Sequence, residues 1–253
     1  MTAEQIEMVK SLLPTALGSS EAREAFAVEI LRQSVWSARM ESARHLARVR
    51  EVCAAVAGGE YNLADARLRL RRTLAAMGHD VAGAKGIQDP ASRRRIDLIV
   101  KTRTQMAASA AEVNAQNEYT VWSRPAWELK RYGRRRVPRD WPMRWKAAGD
   151  SVGWVGASRD FGALIALKDS PIWQALGDGA GGYRDTLGNP YPPFAFSSGM
   201  AWRGVRREKC IQMGLIGEND QPGVPAKVGV EPTSEELAES VQRAGIDVAR
   251  GLQ

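Results

Sequence analysis

The most informative stretch of the sequence runs from Arg124 to Gly149 and reads RPAWELKRYGRRRVPRDWPMRWKAAG. Residues 119–150 contain nine Lys/Arg against three Asp/Glu, so this segment carries +6 of the chain's net charge of +7. Arginine interleaved with tryptophan is typical of surfaces that contact phosphate groups or a protein partner. We therefore expect a contact surface here, with the candidate residues Arg131, Arg134, Arg135, Arg136 and Arg139.

The same stretch predicts a strand, a basic turn and a short helix. Residues 126–132 have the composition of a half-buried strand. Asp140 is the expected N-cap of the helix, Pro142 lies in its first turn, and Gly149 is expected to end it. The tryptophans Trp127, Trp141 and Trp145 are candidate core or interface residues. We expect Trp127 and Trp145 to pack against a helix over residues 89–115.

Composition changes along the chain and predicts an α+β fold. Of seventeen aromatic residues, fourteen lie between Tyr119 and Trp202, whereas the residues before about 118 are rich in Ala, Arg and Glu. We expect a helical N-terminal region with a long helix, then a small Trp-rich mixed domain with short strands, and then a C-terminal linker with a last helix. The compositional boundary lies near Asn117.

Apolar residues at spacings of three and four predict one long helix between Ser19 and the Gly58-Gly59 pair. About 35 residues at 1.5 Å per residue would span roughly 50 Å. Such a helix is either an arm that packs on neighbouring subunits or one member of an ordinary bundle. A shorter amphipathic helix is expected before it, over residues 3–13.

Two further helices are predicted by their N-terminal signals. Asn62 caps a helix over Leu63–Met77, with Arg67, Arg71 and Arg72 on its solvent face. Asp89-Pro90 begins another, which places Arg103 within its apolar stripe. A buried arginine needs a carboxylate or carbonyl partner, so we expect an ion pair at this position.

The second half of the chain predicts short elements and a folded loop. A strand is expected over Ala163–Leu167, a helix over Pro171–Leu176 and another over Arg206–Ile216. The glycines of GDGAGG are not followed by the Lys-Ser/Thr of a phosphate-binding loop. Tyr191, Phe194 and Phe196 are expected to hold the proline-rich turn against the core.

Few residues are available for catalysis or for binding a metal. The chain has two histidines and two cysteines, Cys53 and Cys210, which match no zinc spacing and are expected to be reduced thiols. No signal peptide or transmembrane span is predicted. A small nuclease would have to use Glu128, Arg134, Asp140 and Arg159, which lack a recognised nuclease spacing. We therefore expect no catalytic residue, no metal and no cofactor.

Several motifs occur in an order that resembles the head-morphogenesis, or minor head, proteins of tailed bacteriophages, especially Mu-like forms. They are AWELKRYGRRRVPRDWPMRWKAAG, ALIALKDSPIWQALG, GNPYPPFAFSSGMAW and a short helix ending in MGLI, preceded by the helix RRRIDLIVKTRTQMA. The resemblance covers about residues 89–216. Related members end this domain with a Cys/His motif, whereas GNPYPPFAFSSGMAW has neither residue, so it predicts no metal or thiol role.

The resemblance implies a structural virion protein near the portal vertex that acts in head assembly and in DNA packaging or ejection. Its expected partners are the portal protein or major capsid protein, copies of itself and packaged double-stranded DNA, with no membrane. It implies a minor head domain over 89–216, in the virion and, during assembly, the host cytoplasm. The residue patterns outside that range predict a helical region over 1–88, which is a candidate arm, and a linker with a helix over 217–253. The alternatives are a stand-alone basic nucleic-acid-binding protein and a small nuclease.

Overall fold

A computed structural model of the chain describes residues 1–133, 139–154 and 162–229 and confirms an α+β fold. Arg134, Arg135 and Arg136, and the predicted C-terminal helix, lie outside the described residues. The chain forms two compact units that divide between Ala111 and Glu112. Most of the helix that follows Asp89-Pro90 thus belongs to the first unit, whereas the family resemblance groups it with the second region.

The first unit is mainly helical and contains one pair of short parallel strands, in which Ser11 aligns with Ser34 and Leu12 with Val35. The last helix, α6, continues three residues beyond Ala111. The elements are α1 (Ala3–Met8), β1 (Ser11–Leu12), α2 (Ser19–Ala25), α3 (Val28–Gln33), β2 (Ser34–Val35), α4 (Ala43–Ala57), α5 (Leu63–Ala76) and α6 (Arg93–Asn114).

The helix starts follow the capping residues in the sequence. Asn62 caps α5 by accepting from the backbone N–H groups of Ala64 and Asp65, as predicted. Ser42 caps α4 by accepting from the N–H of His45. Helix α6 begins at Arg93, three residues later than Pro90, because the Ser92 hydroxyl accepts from the N–H of Arg95.

The prediction of one long helix from residue 19 to residue 57 is wrong. The backbone turns extended at Phe26 and Ala27, forms β2 at residues 34–35, and has a positive φ of 57° at Arg39. The apolar stripe is real, but its two halves are buried in different clusters. Phe26, Ile30 and Leu31 pack with Leu13 and Ala22. Val35, Leu46, Val49 and Cys53 pack instead with α5 and α6, which a straight helix could not allow.

Helix α1 also ends earlier than predicted, and the chain then forms β1.

The cluster that unites α4, α5 and α6 contains Val52, Leu70, Leu74, Ile96 and Val100, all almost completely buried. Residues 1–57 therefore form part of a compact unit and are no detachable arm.

A buried ion cluster joins α1 to α6 inside the first unit. Arg103 Nε donates to Glu7 Oε1 at 2.5 Å, and Arg103 Nη1 donates to the carbonyl oxygen of Ser34 at 3.3 Å. Lys10 Nζ donates to the other oxygen of Glu7 at 2.9 Å. The expected carboxylate partner of Arg103 is confirmed. Burial lowers the pKa of Lys10, although the charge of Glu7 acts in the opposite direction.

His45 makes the stability of the first unit depend on pH. Burial, with smaller effects of His79 and Arg95, lowers its pKa from 6.5 to about 4. Between these values the unfolded chain binds a proton that the folded chain does not, so stability falls as the pH falls from about 6.5 to about 4. The contribution reaches about 3 kcal/mol at the acid end. Chemical denaturation across this range should show a smaller dependence in His45→Gln.

The exposed His79 supplies a matched control for that experiment. His79→Gln should retain most of the wild-type dependence because the buried imidazole remains. An identical pH dependence in His45→Gln and the wild type would contradict the assignment to His45.

The second unit contains a three-stranded antiparallel sheet with strand order β4-β3-β5. In the register, Trp127 of the central strand aligns with Ala166 on one side and Gly204 on the other. The elements are α7 (Glu118–Ser123), β3 (Ala126–Arg131), α8 (Trp141–Ser151), β4 (Ile165–Leu167), α9 (Ile172–Asp178), β5 (Met200–Val205) and α10 (Arg207–Gln212).

Most of these elements lie where the sequence predicts them, but helix α7 was not predicted and α10 ends at Gln212, four residues before the expected Ile216. Three further elements differ. Helix α8 has Asp140 as its N-cap but continues past Gly149 to Ser151. Helix α9 ends at a left-handed Gly179, two residues after the glycine expected to end it. Strand β5 was not predicted, because its sequence MAWRGV lacks a regular alternation of apolar and polar residues. It is a strand because it pairs with β3 along its whole length.

Candidate interaction site

Six of the seven tryptophans of the second unit form one aromatic cluster, from which Trp122 is absent. Trp127 stacks on Trp202 with ring centroids 3.8 Å apart and an angle of 11° between the planes. Trp173 of α9 meets Trp127, Trp145 and Trp202 edge-on at 6.0, 5.3 and 5.4 Å. Phe194 stacks on Trp173 at 6.1 Å. Offset and edge-on ring pairs of this kind stabilise a core beyond the area that they bury.

The predicted aromatic residues are thus core residues. Trp127 is 2% exposed, and Trp141 and Trp145 are also buried. The ring contacts of Trp127 and Trp145 are with other tryptophans. Trp202 also has a polar partner within the second unit, because its indole N–H donates to Glu112 at 2.8 Å.

Two arginines of the basic segment converge on one carboxylate, Asp185. Arg144 Nη1 and Nη2 donate to its two oxygens at 2.8 and 3.2 Å, and Arg139 Nε lies 2.6 Å from Oδ2. Burial alone would raise the pKa of Asp185, but the hydrogen bonds from Arg144 and the charges of both arginines outweigh it and lower the pKa. Asp185 therefore remains an anion that joins the start of α8 to the loop that follows α9.

The guanidinium of Arg144 is also enclosed by aromatic rings. Its central carbon lies 4.2 Å from the ring centroid of Tyr183 and 5.3 Å from that of Trp141. A cation held between rings and paired with a carboxylate is a structural element. Neither Asp185 nor Tyr183 was identified from the sequence, since nothing local marks a residue 41 positions away as the partner of Arg144.

The candidate contact arginines divide into different environments. The Arg139 side chain is 16% exposed, pairs with Asp185, and donates to the carbonyl oxygen of Phe196 at 2.7 Å. Its geometry is that of an internal cation, in contrast to the expected outward contact. Arg131 is exposed at the end of β3, where Nη2 donates to the carbonyl oxygen of Arg139 at 3.0 Å. Arg131 is therefore the exposed candidate contact arginine among the described residues, and Arg134, Arg135 and Arg136 lie outside them.

Two charged residues at the sheet are buried, which the sequence did not predict. They are Glu128 in β3 and Lys168 directly after β4. Glu128 is paired with Arg203 at 2.7 Å and with Lys130 at 3.0 Å. Lys168 Nζ donates to Gln116 Oε1 at 2.6 Å and lies 5.4 Å from the Trp127 ring centroid. Burial lowers the pKa of Lys168 to about 8, against the opposing charge of Glu112. These residues support the aromatic cluster from the sheet side.

Within residues 1–133, 139–154 and 162–229, no group of three His, Cys, Asp or Glu side chains is arranged to hold a metal ion. Cys53 and Cys210 are buried free thiols, and burial raises the pKa of each, to about 12 and about 11. No helix of the described part is long and apolar enough to cross a membrane. Comparisons of the chain with protein-family models, curated proteins and solved structures found no match.

Proposed function

We propose that this protein is a non-enzymatic structural component of a tailed-bacteriophage head, a minor head protein placed near the portal vertex. The observation that supports the proposal is the convergence of three separate family-like motifs on one core. The first supplies Trp127, the second Trp173 and the third Trp202, and these three rings are mutual neighbours.

The distribution of charge favours an anionic partner for this protein. Arg139 and Arg144 are both paired internally with Asp185, but Arg131 remains exposed, and a run of three further arginines follows it in the sequence. In the proposed particle the partners are an acidic patch on a portal or capsid subunit, other copies of the chain, and packaged double-stranded DNA. We favour the protein contact, because arginine is enriched at protein interfaces.

Quantitative mass spectrometry of purified phage particles tests the proposed function. The protein should copurify with full particles through a density gradient, at a fixed and low ratio to the major capsid protein. A protein that is abundant in the lysate and absent from gradient-purified particles would refute a virion role.

The run of arginines in the sequence also favours the second candidate, a stand-alone nucleic-acid-binding protein. The triple variant Arg134→Gln, Arg135→Gln, Arg136→Gln separates the two. If these residues contact DNA, duplex binding should lose roughly 2–3 units from the slope of log affinity against log salt. If they contact an acidic protein patch, DNA binding should barely change while incorporation into particles fails.

A charge-matched control removes three cations elsewhere in the chain that are exposed, with Arg72→Gln, Arg94→Gln and Lys101→Gln. This control lowers the net charge by the same amount, so it separates a local contact from a general electrostatic effect. Wild-type behaviour of the first triple variant in both assays would show that the run of arginines is a solvated surface.

A further inference from the structure

One tryptophan of this protein is placed differently from the other seven. All eight lie in the described part of the chain, and Trp122 is the one that is exposed, at 48%. Tyr119, three residues earlier on helix α7, is exposed at 77%. Side chains three apart on a helix lie on the same side. Two large aromatic rings are therefore presented together to solvent, apart from the buried aromatic cluster.

One guanidinium group lies over the Trp122 ring, and a second cationic side chain lies beside strand β5. The central carbon of Arg207 lies 5.3 Å from the Trp122 ring centroid, and Arg207 is itself fixed by Nη2, which donates to the carbonyl oxygens of Glu218 and Asp220 at 2.8 and 2.9 Å. Trp122 is thus held over a buried cation. The side chain of Arg124 runs across Gly204, where a Cβ atom would lie 3.0 Å from its Cδ. The absence of a side chain at Gly204 leaves room for Arg124 beside β5.

The local charge is positive although carboxylates are present. Residues 118–124 and 206–209 contain four cationic and two acidic side chains. Arg124, Arg206 and Lys209 are exposed, as are Glu118 and Glu208. Together with the net charge of +7, this favours approach of a polyanion.

We propose that this surface, formed by Tyr119, Trp122, Arg124 and Arg206, binds single-stranded nucleic acid. Each part of the ligand has a counterpart there: unstacked bases can stack on the two exposed rings, and the neighbouring phosphates can contact the two exposed guanidinium groups. A duplex offers no free base face and would gain only the phosphate contacts. The assignment is independent of the virion role proposed above.

Fluorescence anisotropy with labelled oligothymidylate and oligouridylate of about twelve nucleotides tests the surface in the full-length protein. Trp122→Leu removes the aromatic face but keeps an apolar side chain over Arg207, and it should weaken binding about 5- to 150-fold, as expected for the loss of one stacked base. Trp122→Phe keeps a ring and should retain most of the affinity. Arg124→Gln should lower the slope of log affinity against log salt by about 0.7.

Tyr119→Leu is a second variant at a side chain that is mostly in solvent, so it separates stacking from folding. It should also weaken binding, with an unchanged circular dichroism spectrum and melting temperature. Binding of DNA alone or of RNA alone would identify which single strand is the ligand, and the proposal holds in either case.

Two results would overturn the proposal. One is wild-type affinity for both oligonucleotides in Trp122→Leu and Tyr119→Leu. The other is equal binding of a duplex or a poly-glutamate peptide of similar charge, which would indicate a surface for polyanions in general or for an acidic protein.

Discussion

Replacing Trp127 with alanine is expected to lower the free energy of unfolding by about 3–5 kcal/mol. The ring is almost completely buried, stacks on Trp202 and meets Trp173 edge-on. Removing it leaves a cavity at the centre of the cluster, and it also exposes one face of Trp202 and the side chain of Lys168 to the void. The measurement is denaturant unfolding followed by circular dichroism.

Trp122→Ala is the matched control, since it makes the same chemical change at the exposed tryptophan. It should cost about 1 kcal/mol or less, as expected for a largely solvated side chain. A loss below about 1 kcal/mol for Trp127→Ala would contradict the core assignment and would return Trp127 to the class of binding residues.

Replacing Glu7 with glutamine is expected to cost about 3–5 kcal/mol, as a buried charge loses its partner. Glu7 is completely buried and is the shared carboxylate of Arg103 and Lys10. The variant leaves two buried cations facing each other. Arg103→Met should cost less, because it leaves a neutral Glu7–Lys10 pair. Urea denaturation at neutral pH measures both.

The pH dependence of Glu7→Gln supplies an independent check. The pKa of Lys10 is already lowered by burial and by the charge of Arg103, and loss of Glu7 removes the charge that raises it. The folded variant should therefore release the Lys10 proton at lower pH than the unfolded chain does. Its deficit in stability should shrink as the pH rises toward the ordinary pKa of lysine.

Glu51→Gln is the control, because Glu51 pairs with Arg48 at the same three-residue spacing on the surface, at 2.7 Å. Exposed pairs contribute at most about 1 kcal/mol, so little change is expected. A larger loss in Arg103→Met than in Glu7→Gln would show that excess positive charge does not govern this cluster.

Local sequence determined the elements whose signals lie within a few residues of one another. Asn62 and Asp140 cap helices because their side chains reach the N–H groups two or three residues ahead. The composition of residues 126–131 determined a strand. An arginine in an apolar stripe implied a buried partner, since a lone buried charge is too costly. The α+β class followed from the same local patterns.

Tertiary structure alone decided which distant groups meet. The stripe through residues 28–56 satisfies helical spacing, yet it is divided between two clusters because different neighbours bury its two halves. Asp185 pairs with Arg139 and Arg144, which lie more than forty residues before it in the sequence. Arg139, which was expected to contact a partner, is therefore an internal residue. Periodicity predicts that a side chain is buried, but the long-range contacts of the chain determine which residues it packs against. Long-range contacts also determine why seven of the eight tryptophans are buried or half-buried while one is exposed.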